Sequence, residues 1–355
     1  MSETMTYLEN KNRYRLLLIL SFIALFLVII ISSMVGVADI TFVDGAKIIL
    51  NRIILLDRLI SLDGIKHNYI TIVWDIRFPR ILLSALIGCG LSVSGAAFQG
   101  MFKNPMADPY VLGVSSGAAL GATIGIVLGF QSSLLGLGSI TIMAFIGAIT
   151  TMIIVYHIAK IGGKVPVITL LLAGISISYL LSSVISIMMI FNKSQLDKIV
   201  FWIMGSVSAA SWTHVKILAP ITLIVTFFVI FFAKDLNIML MGEDTASSLG
   251  IEVEKVKKIL LLLCSIVVAA TVSVGGIIGF VGLIVPHTVR MVVGPDYKHL
   301  VPFSAVLGAI FMIISDTLAR TLMSPAEIPV GAITSLFGAP YFIYLLIKSK
   351  KKVTN

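Results

Sequence analysis

Long stretches without a single Asp, Glu, Lys or Arg constrain this chain more than any other feature. Tyr110–Tyr156 carries no formal charge at all. Comparable runs occupy Leu16–Met34, Ile81–Phe102, Val165–Phe191, Ile217–Ala233, Ile259–Val289, Leu300–Ser315 and Ile328–Ile347. A helix needs about 20 apolar residues to cross about 30 Å of hydrocarbon. Two of the runs are long enough for two spans each. Gln131-Ser132-Ser133 with Gly136 and Gly138 marks the turn in one, and Gly275-Gly276 with Gly279 the break in the other. The expectation is an all-α, polytopic membrane protein of about ten spans, forming a single transmembrane domain over residues 1–355.

Composition agrees. The 355 residues are 58% hydrophobic and 12% charged, whereas soluble domains run near 45–50% and about 25%. Such an excess needs a bilayer as its solvent. The net charge of +9 does not point to nucleic acid, because the basic residues are scattered between apolar runs rather than gathered on a soluble face. Cytoplasmic loops beside anionic lipid explain it more simply. Cys89 and Cys264 lie in apolar runs without a second cysteine nearby, and read as small buried hydrophobes.

The first run follows Lys11, Arg13 and Arg15, as in a signal peptide, but it is too long for one and no A-x-A site follows, so it reads as an uncleaved span. With an even count both termini share a side. Lys11, Arg13, Arg15 and the C-terminal Lys348, Lys350, Lys351 and Lys352 place that side in the cytoplasm. Lys103, Lys160, Lys164, Lys234, Lys255, Lys257 and Lys258 then fall inside, and the loop Val35–Trp74 falls outside.

Five segments stand out. In WDIRFPR, Arg77 and Arg80 are three apart and share a face if the segment is helical; interfacial snorkelling is the plain reading. In Phe98–Leu112, Asn104, Pro105 and Pro109 impose a turn, read as a hairpin or as a mobile gate at Asn104-Pro105-Met106. In Leu236–Lys258, Gly242 precedes Glu243, Asp244, Thr245, Ala246 and Ser247, and Leu249 precedes Gly250. Acids at a helix start and glycine at its end predict a short capped helix across the cytoplasmic face, where a soluble partner can push. Pro286, His287 and Arg290 follow, with His287 read as structural and Arg290 as snorkelling. Asp316 and Arg320 sit at helical ion-pair spacing, before a tight outer turn carrying Pro325, Glu327, Pro329 and Gly331.

Absences narrow the classes. There is no GxxxxGK[ST], so the chain does not bind ATP through a P-loop; HExxH is missing as well. No metal site and no catalytic residue is expected. A stand-alone ion-coupled transporter needs carboxylates at membrane depth, and Asp316 is the one plausible candidate.

Together these motifs resemble the permease subunits of type II ABC importers, the FecCD-like family that takes up iron siderophores, haem and cobalamin. The resemblance spans nearly the whole chain. It rests on IRFPR, SGAAFQGMFKNPMADPYVLGVSSGA, LLLAG at Leu170–Gly174, MGEDTASSLG, GFVGLIVPH, and DTLAR followed by EIPVGAITSLFGAPYF, in that order. It implies a homodimeric permease in the bacterial cell membrane, two ATP-binding subunits that hydrolyse the ATP, an extracytoplasmic substrate-binding protein, and no cofactor on this chain. Arg77, Arg80 and Arg320 match positions that dock the binding protein. Asn104, Pro105 and Met106 match the cytoplasmic gate, with Val167 and Ile168, which are apolar here where the cobalamin permease is hydroxylic. The segment from Leu236 to Lys258 matches the helix that couples to the ATPase. The implied cargo is a metal chelate, foremost an iron(III)–siderophore complex, with cobalamin or haem as alternatives.

Overall fold

The computed structural model describes residues 2–36, 38, 40–52, 60–130, 133–134 and 136–353. Gln131 and Ser132 of the expected turn lie outside them. The chain runs through α1 (Ser2–Met34), α2 (Phe42–Arg52), α3 (His67–Thr71), a π-helical segment (Ile72–Arg77) and α4 (Phe78–Met101). A 3₁₀ turn (Pro109–Leu112) leads to α5 (Val114–Val127), then α6 (Ser139–Ala159), α7 (Val167–Phe191), α8 (Leu196–Ile203) and α9 (Trp212–Phe231). The last elements are α10 (Ala233–Leu240), α11 (Glu243–Ser248), α12 (Val253–Gly275), α13 (Val281–Val293), α14 (Tyr297–Thr321) and α15 (Val330–Val353). Lipid offers no hydrogen bonds to backbone groups, so apolar runs close theirs internally as helices. Among the described residues, β pairing is confined to a two-residue antiparallel ladder, Ser133–Leu134 with Leu137–Gly138, at the α5–α6 turn and a single bridge between Ile161 and Lys164 at the α6–α7 turn.

Among the described residues, seven helices are long and apolar enough to cross a membrane, and Val114–Val127, Val281–Val293 and Val330–Leu345 are shorter apolar ones. Each of the expected span segments therefore contains an apolar helix. At 1.5 Å per residue, α5 and α13 reach only about 20 Å and do not span alone. Each is reached through non-α backbone instead: the 3₁₀ turn before α5, and Gly276–Phe280 before α13, where Phe280 takes φ +69°.

α4 is the hub. Almost all of it is buried, and it packs on α9, α12, α13 and α14. Hydrophobicity does not drive helices together in lipid, so the contacts depend on close backbone approach through small residues. A Cβ on Gly88 would strike the backbone of Gly308 in α14, and one on Gly95 that of Gly282 in α13. Gly117 and Gly147 lock α5 to α6 in the same way. α7 instead leaves Ile168, Leu172, Ile175, Tyr179, Leu180 and Phe191 exposed.

Candidate functional site

The named residues fall at the two ends of the bundle. One end holds the arginines. Arg77 ends the π-helical segment and sends its guanidinium to the C-terminus of α1, donating to Ser33 O at 3.1 Å, Met34 O at 2.9 Å and Ala38 O at 3.2 Å. The last carbonyls of a helix have no partner within it, and Arg77 supplies one. Arg320 approaches the same end of α1 and donates to Ser32 O. Its Nε has no partner among the described residues.

Arg80 is bound differently. Its Nε donates to both oxygens of Asp316, at 3.0 and 3.1 Å, and its Nη2 to Oδ1 at 2.9 Å. Nη1 reaches Glu327 at 2.9 and 3.0 Å. One guanidinium thus ties α4 to α14 and to the turn before α15. Asp316 is 1% exposed as a side chain and Glu327 41%. This corrects the expected i,i+4 pair: Asp316 bonds Arg80, not Arg320, because the planar fork of Arg80 lies against both carboxylate oxygens. All three arginines are buried. They do not snorkel; Arg80 is neutralised by Asp316 and Glu327, while Arg77 and Arg320 are held by backbone carbonyls of α1 and the segment after it.

The opposite end holds the turn and the short helix. Asn104 Oδ1 accepts from Met106 N at 2.9 Å, and Ala107 N donates to Asn104 O at 3.1 Å, so the NPM segment is an exposed, side-chain-closed turn. Val167 is the first residue of α7 and half-buried, while Ile168 is 73% exposed. The link between the two pieces is the 3₁₀ turn Pro109–Leu112, which packs against α7 so closely that a Cβ on Gly174 would strike Val111 O.

α11 forms where expected. Gly250 takes φ +84°. Ile251 N donates to Ala246 O and Gly250 N to Ser247 O, both at 3.0 Å. These are the two bonds of a Schellman cap, which needs a left-handed residue and therefore favours glycine. Glu243 and Asp244 occupy the first turn, where the positive end of the helix dipole favours acids. Ala246 is buried, while Leu249 on one flank and Met241 on the other are 63% and 73% exposed. Lys257 of α12 holds the helix in place, donating to Glu243 at 2.7 Å and Glu254 at 3.4 Å. A neighbouring network joins α10 to α14: Asn237 Nδ2 donates to Asp296 Oδ1 at 2.6 Å, and Asn237 Oδ1 accepts from Tyr297 N at 2.9 Å. Burial pushes the Asp296 carboxyl up, but bonds from Lys298 N and Asn237, with the charges of His299 and Lys298, outweigh it and hold Asp296 below its ordinary value.

Residues 23–348 match the FecCD transport family. The chain belongs to the FecCD transport family. It is 43% identical over 283 residues to the cobalamin import permease BtuC of Halobacterium salinarum, covering 80% of this chain and 75% of that one. It is 35% identical over 347 residues to the Fe(3+)-citrate import permease YfmD of Bacillus subtilis, covering 97% and 99%. Its fold matches a metal-chelate type ABC transporter in an inward-facing conformation, with TM-score 0.80, 29% identity, and 94% and 99% covered. The protein is thus an ABC-transporter permease subunit, a multi-pass protein of the cell membrane.

The remaining family motifs are placed as follows. Pro286 and His287 lie inside α13, with His287 Nδ1 unpartnered among the described residues. Arg290 does not snorkel: its Nη2 donates to Tyr297 OH at 3.0 Å. Pro329 immediately precedes α15. No group of three or more His, Cys, Asp or Glu able to hold a metal exists among the described residues. An apolar cavity of about 610 Å³ lies between α13, α14 and α15, lined by Ile284, Thr288, Phe311, Phe337 and Tyr341. Sequence reasoning missed Lys257, Tyr297 and Asn237 in this FecCD permease. A Tyr following Asp296 in an otherwise apolar chain was the available signal for one of them. For Lys257 the i,i+3 spacing from Glu254 was a signal of one of its two pairings, but Glu243 is not at helical spacing and only the fold brings it there.

Proposed function

We propose that the chain forms, as a homodimer, the membrane pathway of an importer for an iron(III) chelate, foremost an iron(III)–siderophore complex. The full-length similarity to an Fe(3+)-citrate import permease carries this reading. The similarity to a cobalamin import permease keeps cobalamin as the second reading, and haem is the third. In this reading two separate ATP-binding subunits hydrolyse ATP, and this chain binds no cofactor. They seat on α11, whose exposed Leu249 and Met241 flank its capped core. Motion of α11 passes through the Lys257–Glu243 pair into α12, and the Asn104–Met106 turn with Val167 and Ile168 opens and closes the inner end. Both termini and α11 face the cytoplasm. A substrate-binding protein docks at the other end. Because Arg77, Arg80 and Arg320 are already bound within the chain, they serve docking by holding that end in shape.

The alternative of a stand-alone ion-coupled transporter has little support. Its candidate carboxylate, Asp316, is bound to Arg80 in a buried ion pair, which leaves it no free site for a coupling ion.

The test is uptake of labelled ferric siderophore, haem and cobalamin, side by side, in cells lacking the gene and in cells with it restored. Loss of the iron chelate alone supports the proposal. Loss of cobalamin or haem alone replaces the cargo. ATPase activity that fails to copurify with the chain would overturn the coupled mechanism.

A further inference from the structure

At the end of the bundle that carries α11, the α6–α7 hairpin and the start of α12 enclose a pocket of about 280 Å³ lined by Tyr156, Lys160, Glu254, Lys255, Lys257 and Lys258, among others. Four lysines meet one glutamate there, and the charges are not equivalent. Lys257 is buried and paired with Glu243 and Glu254. The second oxygen of Glu254 accepts from Val165 N at 3.3 Å, so that carboxylate is occupied. Lys255 is paired with Glu252 at 3.3 Å, but both side chains are exposed, and such a pair contributes little. Lys160 and Lys258 are exposed and have no carboxylate within ion-pair distance among the described residues. The pocket therefore presents two free ammonium groups around one mouth, with Lys255 beside them in a weak exposed pair.

What lies beside that mouth identifies the ligand. Ile153 on α6, three residues before the pocket-lining Tyr156 and on its face of the helix, is 46% exposed. Leu262, one turn beyond Lys258 on α12, is 50% exposed. Ile153, Tyr156 and Lys160 follow the i, i+3, i+7 spacing of one helix face, so an exposed apolar side chain leads along α6 to the lysine. A soluble anion gains nothing from such a face. A molecule with an anionic head and apolar tails matches both parts, and Tyr156 at the junction has the amphipathic character of a membrane-interface aromatic.

We propose that Lys160 and Lys258, with Lys255, bind the phosphate headgroup of an anionic phospholipid whose acyl chains lie along the exposed faces of α6 and α12. The phosphate diester accepts hydrogen bonds from the two free ammonium groups, and Tyr156 packs at headgroup level. Basic pockets between membrane helices at one bilayer surface suit this chemistry. The site shares Lys257 and Glu254 with the clamp on α11, so the bound lipid lies directly behind that helix. The inference requires only that α6 and α12 are embedded in the membrane, and it stands apart from the cargo assigned above.

The experiment is native mass spectrometry of the full chain, purified without partner subunits and exposed to phosphatidylglycerol or phosphatidylcholine. Each lysine at an anionic headgroup is worth about fivefold in affinity, so Lys160→Gln and Lys258→Gln each lower phosphatidylglycerol retention about fivefold and the pair about 30-fold. Lys160→Arg with Lys258→Arg restores it. Both lysines are exposed, and an unchanged gel-filtration profile establishes that the variants fold. Retention unaffected by the double Gln variant overturns the proposal. So does equal retention of phosphatidylcholine, or displacement of the lipid by inorganic phosphate at matched concentration. Lost ATPase-subunit binding with lipid retention intact overturns it in favour of a protein contact. Failed chelate uptake with lipid retention intact counts against the importer reading alone.

Discussion

Asp316→Leu separates a structural arginine from a docking one. The substitution leaves Arg80 buried with Glu327 as its remaining carboxylate. Removing one partner of a buried ion pair costs about 3–5 kcal/mol, because the other charge stays desolvated, whereas replacing both by apolar groups of similar volume is often neutral or better. Glu327 compensates only in part. Its side chain is 41% exposed, so solvent screens part of its attraction for Arg80. Asp316→Leu and Arg80→Met should each lower the thermal midpoint strongly, the double variant should recover most of the loss, and Glu327→Gln should lower it clearly less than Asp316→Leu. The assay is thermal unfolding of all four proteins in lipid nanodiscs, read as a double-mutant cycle with a coupling of about 2 kcal/mol or more. Binding-protein affinity is measured on the same samples. Additive losses, or a Glu327→Gln defect as large as that of Asp316→Leu, would refute the reasoning. A stable Arg80→Met that no longer binds its delivery protein would establish direct docking instead.

Three further outcomes are expected. Gly250→Val should uncouple ATP hydrolysis from uptake, because a left-handed position costs an L side chain about 1–2 kcal/mol even though no atom lies within 4 Å of the new Cβ; Gly250→Asn should retain coupling, and equal transport by both variants would exclude the cap as the cause. Lys257→Met should cost about 1.5–3 kcal/mol, the worth of a hydrogen bond between charged groups, and lower uptake per ATP hydrolysed while the complex with the ATPase still forms; an unchanged ratio would show that α11 does not act through α12. Asp296 has a folded pKa below its unfolded one, so its contribution is present above the ordinary carboxylate pKa and is lost as pH falls through the depressed folded value; Asp296→Asn should flatten stability across that acidic window, and an unaltered acid limb would remove Asp296 from the account.

The apolar helices, the Asn104 turn and the capped α11 were all readable along the chain, and for one reason. Each is written in residues within a turn or two of one another: unbroken apolar runs, Pro105 and Pro109 closing off helix, and Gly250 at the end of α11. Hydrogen bonds between near neighbours reproduce such local signals whatever the rest of the molecule does. What only the tertiary structure decided was which charges meet. Asp316 has Arg320 one turn away, yet it binds Arg80, 236 residues distant, because small residues bring α4 and α14 close enough for a guanidinium to reach. Arg77 lies far from α1 in sequence and closes its end in space. Lys257, on the first turns of α12, becomes the clamp on α11. Spacing along one helix does not encode the approach of two helices. The burial that turns an arginine at a helix end into a tie, or a lysine on α12 into a clamp on α11, exists only once the bundle has closed.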